Sequence, residues 1–146
     1  MPHQDDTYQI IWLIRRLFRS LAQRADESLR DLDISAADRA VMEFLYPGKQ
    51  QSVPAIAAQY QVSRQHVQVT TNRLVEAGFL ATTANPRHKR SPLIGLTGNG
   101  RKLFETIKTR ESNIIDALFS GISGSDLEIT RNTLKTLLDE LNRGDT

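Results

Sequence analysis

The chain has 146 residues, 39% hydrophobic and 25% charged, with eight glycines, five prolines and no cysteine. That length suits one domain of roughly 100–200 residues, and the composition can bury a core. Lack of cysteine excludes disulfides, thiolate metal sites, iron–sulfur clusters and cysteine nucleophiles. The longest apolar run, Ile10 to Ile14, stops at Arg15, far short of the ~20 residues of a membrane span. Asp5 and Asp6 stand where a secretory leader carries positive charge, so the reading is a cytoplasmic chain that starts near Met1 and meets no membrane.

From Tyr8 to Leu32, apolar residues at Ile10, Ile14, Leu17, Leu21, Ala25 and Leu29 predict one long amphipathic helix. Ser35, with Asp38 three residues on, caps a second helix whose face is Val41, Phe44 and Leu45 and which stops at Pro47-Gly48. Ser52 introduces a short helix over Val53 to Tyr60, where Pro54 is tolerated because first-turn amides lack intrahelical partners. Ser63 caps a fourth helix reaching Ala77, with Val67, Thr70 or Thr71, Leu74 and Val75 inward and Gly78 as its left-handed terminator.

Phe79 to Thr83 reads as a strand, Asn85-Pro86 as a turn, and Leu93 to Leu96 as the returning strand of a hairpin. Pro92 cannot donate to a ladder, so that strand is expected at an edge or bonded on one side only. Thr97 caps a helix to about Phe119, with Gly98 and Gly100 weakening its first turn. Ser125 and Glu128 are expected to form a capping box for a last helix striped by Leu127, Leu134, Leu137, Leu138 and Leu141.

The net charge of +2 is unevenly spread. Residues 52–102 hold seven basic side chains (Arg64, Arg73, Arg87, Lys89, Arg90, Arg101 and Lys102) against the single acid Glu76, for +6; the rest of the chain holds twelve basic and sixteen acidic residues, for −4. The basic segment coincides with two short helices, a tight turn and a hairpin, the plan of a winged helix-turn-helix. An α-helix fits the major groove, and its capped N-terminus offers free amides and a positive dipole end to phosphate.

In the fourth helix, Ser63, Arg64, Gln65, His66, Gln68, Val69, Asn72 and Arg73 are the candidate DNA-binding residues. Gln and Asn can bond adenine bidentately, Arg can bond guanine, and an exposed Val can pack on a thymine methyl. On the hairpin tip, Arg87, Lys89 and Arg90 put three fixed charges within four residues, which stabilises nothing internal but suits phosphates or a narrow minor groove. Arg64, Arg73, Arg87, Lys89 and Arg90 together predict on the order of ten phosphate contacts per dimer. Each feature has a blander reading: surface Gln and Asn are commonly just solvated, helix pairs occur in many enzymes, and a basic tip can be a solubilising loop.

The order of a long helix, a Ser-capped short helix, the helix-turn-helix, Gly78-Phe79-Leu80, a basic wing from Asn85-Pro86-Arg87 to Arg90, and Leu96-Thr97-x-x-Gly100 resembles the MarR family of bacterial transcriptional regulators over nearly the whole chain. The resemblance implies a homodimer with interlocked terminal helices, two winged domains reading a pseudo-palindromic operator, and release by a small organic effector bound between the first helix and the winged domain. Three departures stand out. Asn85 replaces the usual wing Asp, so an Asp–Arg ion pair there cannot form; Val69 replaces a commonly polar or basic reader; and Pro92 is unusual within a wing.

Enzyme readings lack parts. His3, His66 and His88 are scattered without a second ligand at metal spacing. No phosphate loop, nucleophile elbow or cofactor fingerprint occurs, and Trp12 reads as a core or interface anchor. The resulting expectation is a mainly α fold with a small β-hairpin wing, one domain over 1–146, in which 35–100 form the winged DNA-binding region and 1–34 with 101–146 a helical dimerisation region. It is read as a homodimeric, ligand-responsive repressor on double-stranded DNA, not an enzyme, with no cofactor or metal. The alternative is a winged-helix protein-interaction module that binds no DNA.

Overall fold

A computed structural model describes residues 4–144; His3 lies outside the described residues. Ten elements follow in order: α1 (Gln4–Leu29), a 3-10 turn (Arg30–Leu32), α2 (Ala36–Leu45), β1 (Gln51–Ser52), α3 (Val53–Tyr60), α4 (Arg64–Glu76), β2 (Leu80–Thr83), β3 (Leu93–Leu96), α5 (Gly98–Phe119) and α6 (Gly124–Arg143). No helix among the described residues is long and apolar enough to cross a membrane.

Two compact units result, one closing at Glu111 and the other beginning at Ser112. In the first, Val41, Met42 and Leu45 of α2, Ile56 of α3, Val67 and Leu74 of α4, Leu80 and Ile94 of the sheet, and Phe104 and Ile107 of α5 are buried together. Complete burial stabilises each such side chain by about 1.5–3 kcal/mol relative to exposure. Tyr46 closes over Phe104 with ring centroids 4.9 Å apart. Of α1, only Leu29 is buried, and Tyr8, Ile11, Trp12, Leu13, Leu17 and Phe18 lie exposed. The second unit has no buried residue among those described, with Leu134, Leu137, Leu138 and Leu141 of α6 exposed.

Side-chain caps set the helix starts. Ser35 accepts from the Asp38 amide at 3.1 Å while Asp38 accepts from the Ser35 amide at 2.9 Å, a complete capping box. Ser52 and Ser63 cap α3 and α4. The last helix differs from expectation: its cap is Ser123, accepting from the Asp126 amide at 3.2 Å, and not Ser125 with Glu128. The stretch Ser123-Gly124-Ser125 holds two capable hydroxyls, and Gly124 is compatible with helix, so the earlier serine caps and Ser125 falls in the first turn. The first helix likewise begins earlier than Tyr8 and gives way at Arg30 to a 3-10 turn closed by Asp33 at φ 54°.

The sheet corrects a second expectation. β3 pairs antiparallel with both β2 and β1, so it is the central strand, in the order β1-β3-β2. Pro92 stands one residue before the ladder, where its missing N–H is not needed. Strand β1, two residues pairing Gln51 with Ile94 and Ser52 with Leu93, carries no alternation that sequence reading could detect. Val75, expected inward, is exposed; at 100° per residue it sits on the flank of the α4 face that Val67, Thr70, Thr71 and Leu74 bury.

One crowded junction fixes where the wing departs from the body. Gly78 ends α4 at φ 84°, and Phe79 donates its amide to the Leu74 carbonyl at 2.9 Å. The Thr97 hydroxyl donates to the Gly78 carbonyl at 2.6 Å and accepts the Gly100 amide at 3.0 Å, while the Thr97 amide bonds the Phe79 carbonyl at 3.1 Å. A side chain at position 100 would collide with the Phe79 carbonyl oxygen. Gly100 is therefore a packing requirement despite its cost to the helix.

Gly100→Ala should destabilise the fold by about 1–3 kcal/mol through forced backbone displacement, whereas Gly98→Ala, with open space around its added methyl, should be neutral or slightly stabilising. Urea unfolding of the two variants checks the contrast. A pH dependence follows from α5, where Arg110 pairs with Asp31 at 2.7 Å and donates to the Ser28 carbonyl at 2.9 Å. The hydrogen bond from Arg110 holds the Asp31 carboxyl below its ordinary value. A depressed carboxylate stabilises above its unfolded value and loses that contribution as pH falls through the folded one. Arg110→Ala should then lose more stability at about pH 6 than at about pH 3; an equal loss at both would contradict the pairing.

Candidate nucleic-acid interface

The helix-turn-helix is α3, the turn Gln61-Val62-Ser63, and α4. Gln61 takes the left-handed conformation at φ 58°, and the Val62 amide bonds back to Ala57 at 3.2 Å, which reverses the chain within three residues. Ser63 then accepts the His66 amide at 3.0 Å, so α4 starts with its amides directed outward. His66 lies beside Tyr60, ring centroids 6.4 Å apart, and Tyr60 packs edge-on against Phe44 at 5.8 Å, bracing the turn.

Helical geometry separates the two faces of α4. Val67, Thr70, Thr71 and Leu74 are buried, while Gln65, Gln68, Val69 and Asn72, at the same i, i+3, i+4, i+7 spacing, centre about half a turn away and are exposed. Val69 is 57% exposed, a large branched apolar side chain presented to solvent among amides. Gln68 donates from Nε2 to Asn72 Oδ1 at 2.8 Å, linking the two amides along this face. Arg64 and His66 lie on opposite flanks, both exposed.

Arg73 has a different environment. Its guanidinium forms an ion pair with Asp38, whose side chain is 3% exposed, and approaches the Ser35 hydroxyl at 3.4 Å. Asp38 is the same carboxylate that caps α2, so one buried acid ties the start of α2 to the last turns of α4. A buried carboxylate needs such partners, since an unpaired one carries a large desolvation penalty. Arg73, expected among the phosphate contacts, is paired with Asp38 while about half of its side chain stays exposed. Asp38 was legible in the sequence as a cap; its tie to Arg73, 35 residues away, had no sequence signal.

The wing tip between β2 and β3 is closed by Asn85. Its Nδ2 donates to the Ser91 carbonyl at 2.9 Å and its Oδ1 accepts the Arg87 amide at 3.1 Å, while the Ser91 amide reaches the His88 carbonyl at 3.1 Å. A carboxylate could accept the Arg87 amide but could not donate to Ser91, so the amide side chain does here what Asp cannot. Arg87, His88, Lys89 and Arg90 are all exposed. A cleft of about 360 Å³ between the base of the wing and α4 is lined by Arg64, Gln65, Gln68, Arg90 and Pro92 among others, with no acidic residue on its wall. Helix and wing thus bring Arg64 and Arg90 to one concavity. No group of three or more His, Asp or Glu among the described residues could hold a metal.

Removing Arg73 leaves Asp38 buried without its cation. Arg73→Ala should lower stability by about 1–3 kcal/mol, less than for a fully enclosed pair because the Arg73 side chain is 54% exposed and water can enter. Arg64→Ala, which breaks no such tie, should leave the denaturation midpoint unchanged.

No family model matches the chain. The uncharacterized protein Rv2011c of Mycobacterium tuberculosis is 29% identical over 135 residues, 91% of this chain and 87% of that protein. Among solved structures, a MarR family transcription regulator, SP03579, superposes with a TM-score of 0.89 at 22% identity, covering 95% of this chain and 92% of the other. FabT of Streptococcus pneumoniae, solved in complex with DNA, gives 0.83 at 17% identity over 94% and 99%. MepR of S. aureus, also solved with DNA, gives 0.76 at 23% identity over 89% and 96%. The chain therefore has the winged-helix fold of the MarR family of transcriptional regulators.

Proposed function

We propose that this protein is a sequence-specific, double-stranded DNA-binding transcriptional regulator that acts as a homodimer on a pseudo-palindromic operator and has no catalytic activity. The observation that carries the reading is the union of an uncharged, hydrogen-bonding face on α4 with an acid-free cleft and a tip of three exposed cations on the wing. The amides address base edges, and Arg64, Arg87, Lys89 and Arg90 address phosphates or the minor groove. Two of the similar folds were solved bound to DNA, which supports the same use here.

Support for the homodimer comes from exposed apolar surface. Ile11, Trp12, Leu13, Leu17 and Phe18 of α1, and Leu134, Leu137, Leu138 and Leu141 of α6, are more than a solitary chain of this size normally leaves to water. An isologous pairing of these helices would cover them. In this reading 1–34 and 101–146 dimerise and 35–100 bind DNA. Ligand-responsive repression is the finer part of the proposal: a concavity of about 510 Å³ bounded by Asp26, Arg30, Ile34, Ser35, Asp38 and Arg73 offers a small organic effector a place against the ion pair that holds α4.

Two kinds of variant test this. Lys89→Ala and Arg87→Ala should weaken binding by similar factors on an operator and on a scrambled duplex, because wing contacts carry little base code. Gln65→Ala should cost ~1–3 kcal/mol on the operator and little on the scrambled duplex. If both wing variants bind as tightly as wild type, the wing is only a solubilising loop and a protein-interaction module becomes the better reading. Truncation before Gly124 should give a monomer or an aggregate in sedimentation, and a soluble dimer would contradict the assigned interface.

A further inference from the structure

We propose that the α4 face reads A·T pairs at the centre of each half-site, the linked amides of Gln68 and Asn72 taking one adenine and Val69 packing on the methyl of a neighbouring thymine. This rests on the DNA-binding reading and adds base identity to it. Four side chains form the face, Gln65, Gln68, Val69 and Asn72, and none is charged. Arg73, the cation nearest its C-terminal end, is held by Asp38. Guanine is most often read by Arg or Lys donating to O6 and N7, and the cation on α4 without an internal ion pair is Arg64, in the first turn and on the flank of the face.

The hydrogen bond between Gln68 and Asn72 sharpens the choice. Whichever way the two amides are turned, that bond consumes one N–H and one carbonyl lone pair. The donating amide keeps its oxygen and one N–H, and the accepting amide keeps its whole NH2 group and one lone pair, so the pair still offers an oxygen and an NH2 side by side. Adenine offers a donor at N6 and an acceptor at N7, which matches both. Guanine offers two acceptors on that edge and the only donor of its pair is cytosine N4, so an amide oxygen directed at the purine finds a donor on adenine and none on guanine. Beside them, the exposed Val69 methyl groups suit the C5-methyl of thymine, which cytosine lacks.

The test selects duplexes from a random-sequence pool with the full chain, then replaces each selected thymine by deoxyuridine, which deletes only the methyl. The expected result is A·T pairs at equivalent positions of both half-sites, and one thymine whose replacement weakens wild type by about fourfold, the worth of one buried methyl, with Val69→Ala insensitive to it. Gln68→Ala and Asn72→Ala should each lose about 5- to 150-fold on the selected site, and the double variant little more, because the two amides act as one reader. Central G·C pairs, enrichment of no sequence despite binding, or equal deoxyuridine sensitivity in Val69→Ala would overturn this proposal and leave DNA binding standing. Failure to bind any duplex at low salt would overturn both.

Discussion

The buried carboxylate of Asp38 is the contact on which the presentation of α4 depends. It accepts the Ser35 amide, which fixes the first turn of α2, and it pairs with Arg73, which fixes the far end of α4. Since α2 and α4 also share the core through Val41, Met42, Val67 and Leu74, the ion pair adds angular definition to packing that is otherwise non-directional. A rotation of α4 by a single residue step, about 100°, would exchange amides for buried apolar side chains. The carboxylate holds the helix at the angle where Gln65, Gln68, Val69 and Asn72 stay outside.

The wing is positioned by a second, purely steric constraint. Gly78, Phe79, Thr97 and Gly100 converge where α4, β2, β3 and α5 meet, and their hydrogen bonds leave no room for a side chain at position 100. From that fixed base the hairpin runs to a tip closed by Asn85. Cations clustered on such a tip repel one another and lower the stability of the isolated chain slightly. Their placement makes physical sense once an opposite charge is brought to them, and the acid-free cleft extends the same field back to Arg64.

Much of this was legible in the sequence because it is written in local chemistry. Serines at 35, 52 and 63 each cap the helix expected of them, and the spacing of Val67, Thr71 and Leu74 marked the inner face of α4. Gly78 announced its left-handed turn. What sequence did not disclose is non-local or degenerate. The Arg73 tie spans 35 residues and gives an expected phosphate contact an internal partner as well. Strand β1 is too short to show alternation, and its pairing is what makes β3 central in spite of Pro92. At the start of α6, Ser123 and Ser125 flank Gly124 as two capable caps, and the choice of Ser123 rests on Gly124 joining the helix.

The proposed division of labour within the basic segment is that Arg64, Arg87, Lys89 and Arg90 neutralise phosphate while Arg73 serves Asp38. Titrating salt against affinity for a duplex measures this directly, because each neutralised phosphate adds about −0.9 to the slope of log affinity on log salt. Four contacts per subunit give a homodimer a slope of about −7, whereas a fifth from Arg73 would steepen it to about −9. A wild-type slope of about −9 would contradict this division, and a slope near zero would contradict DNA binding altogether.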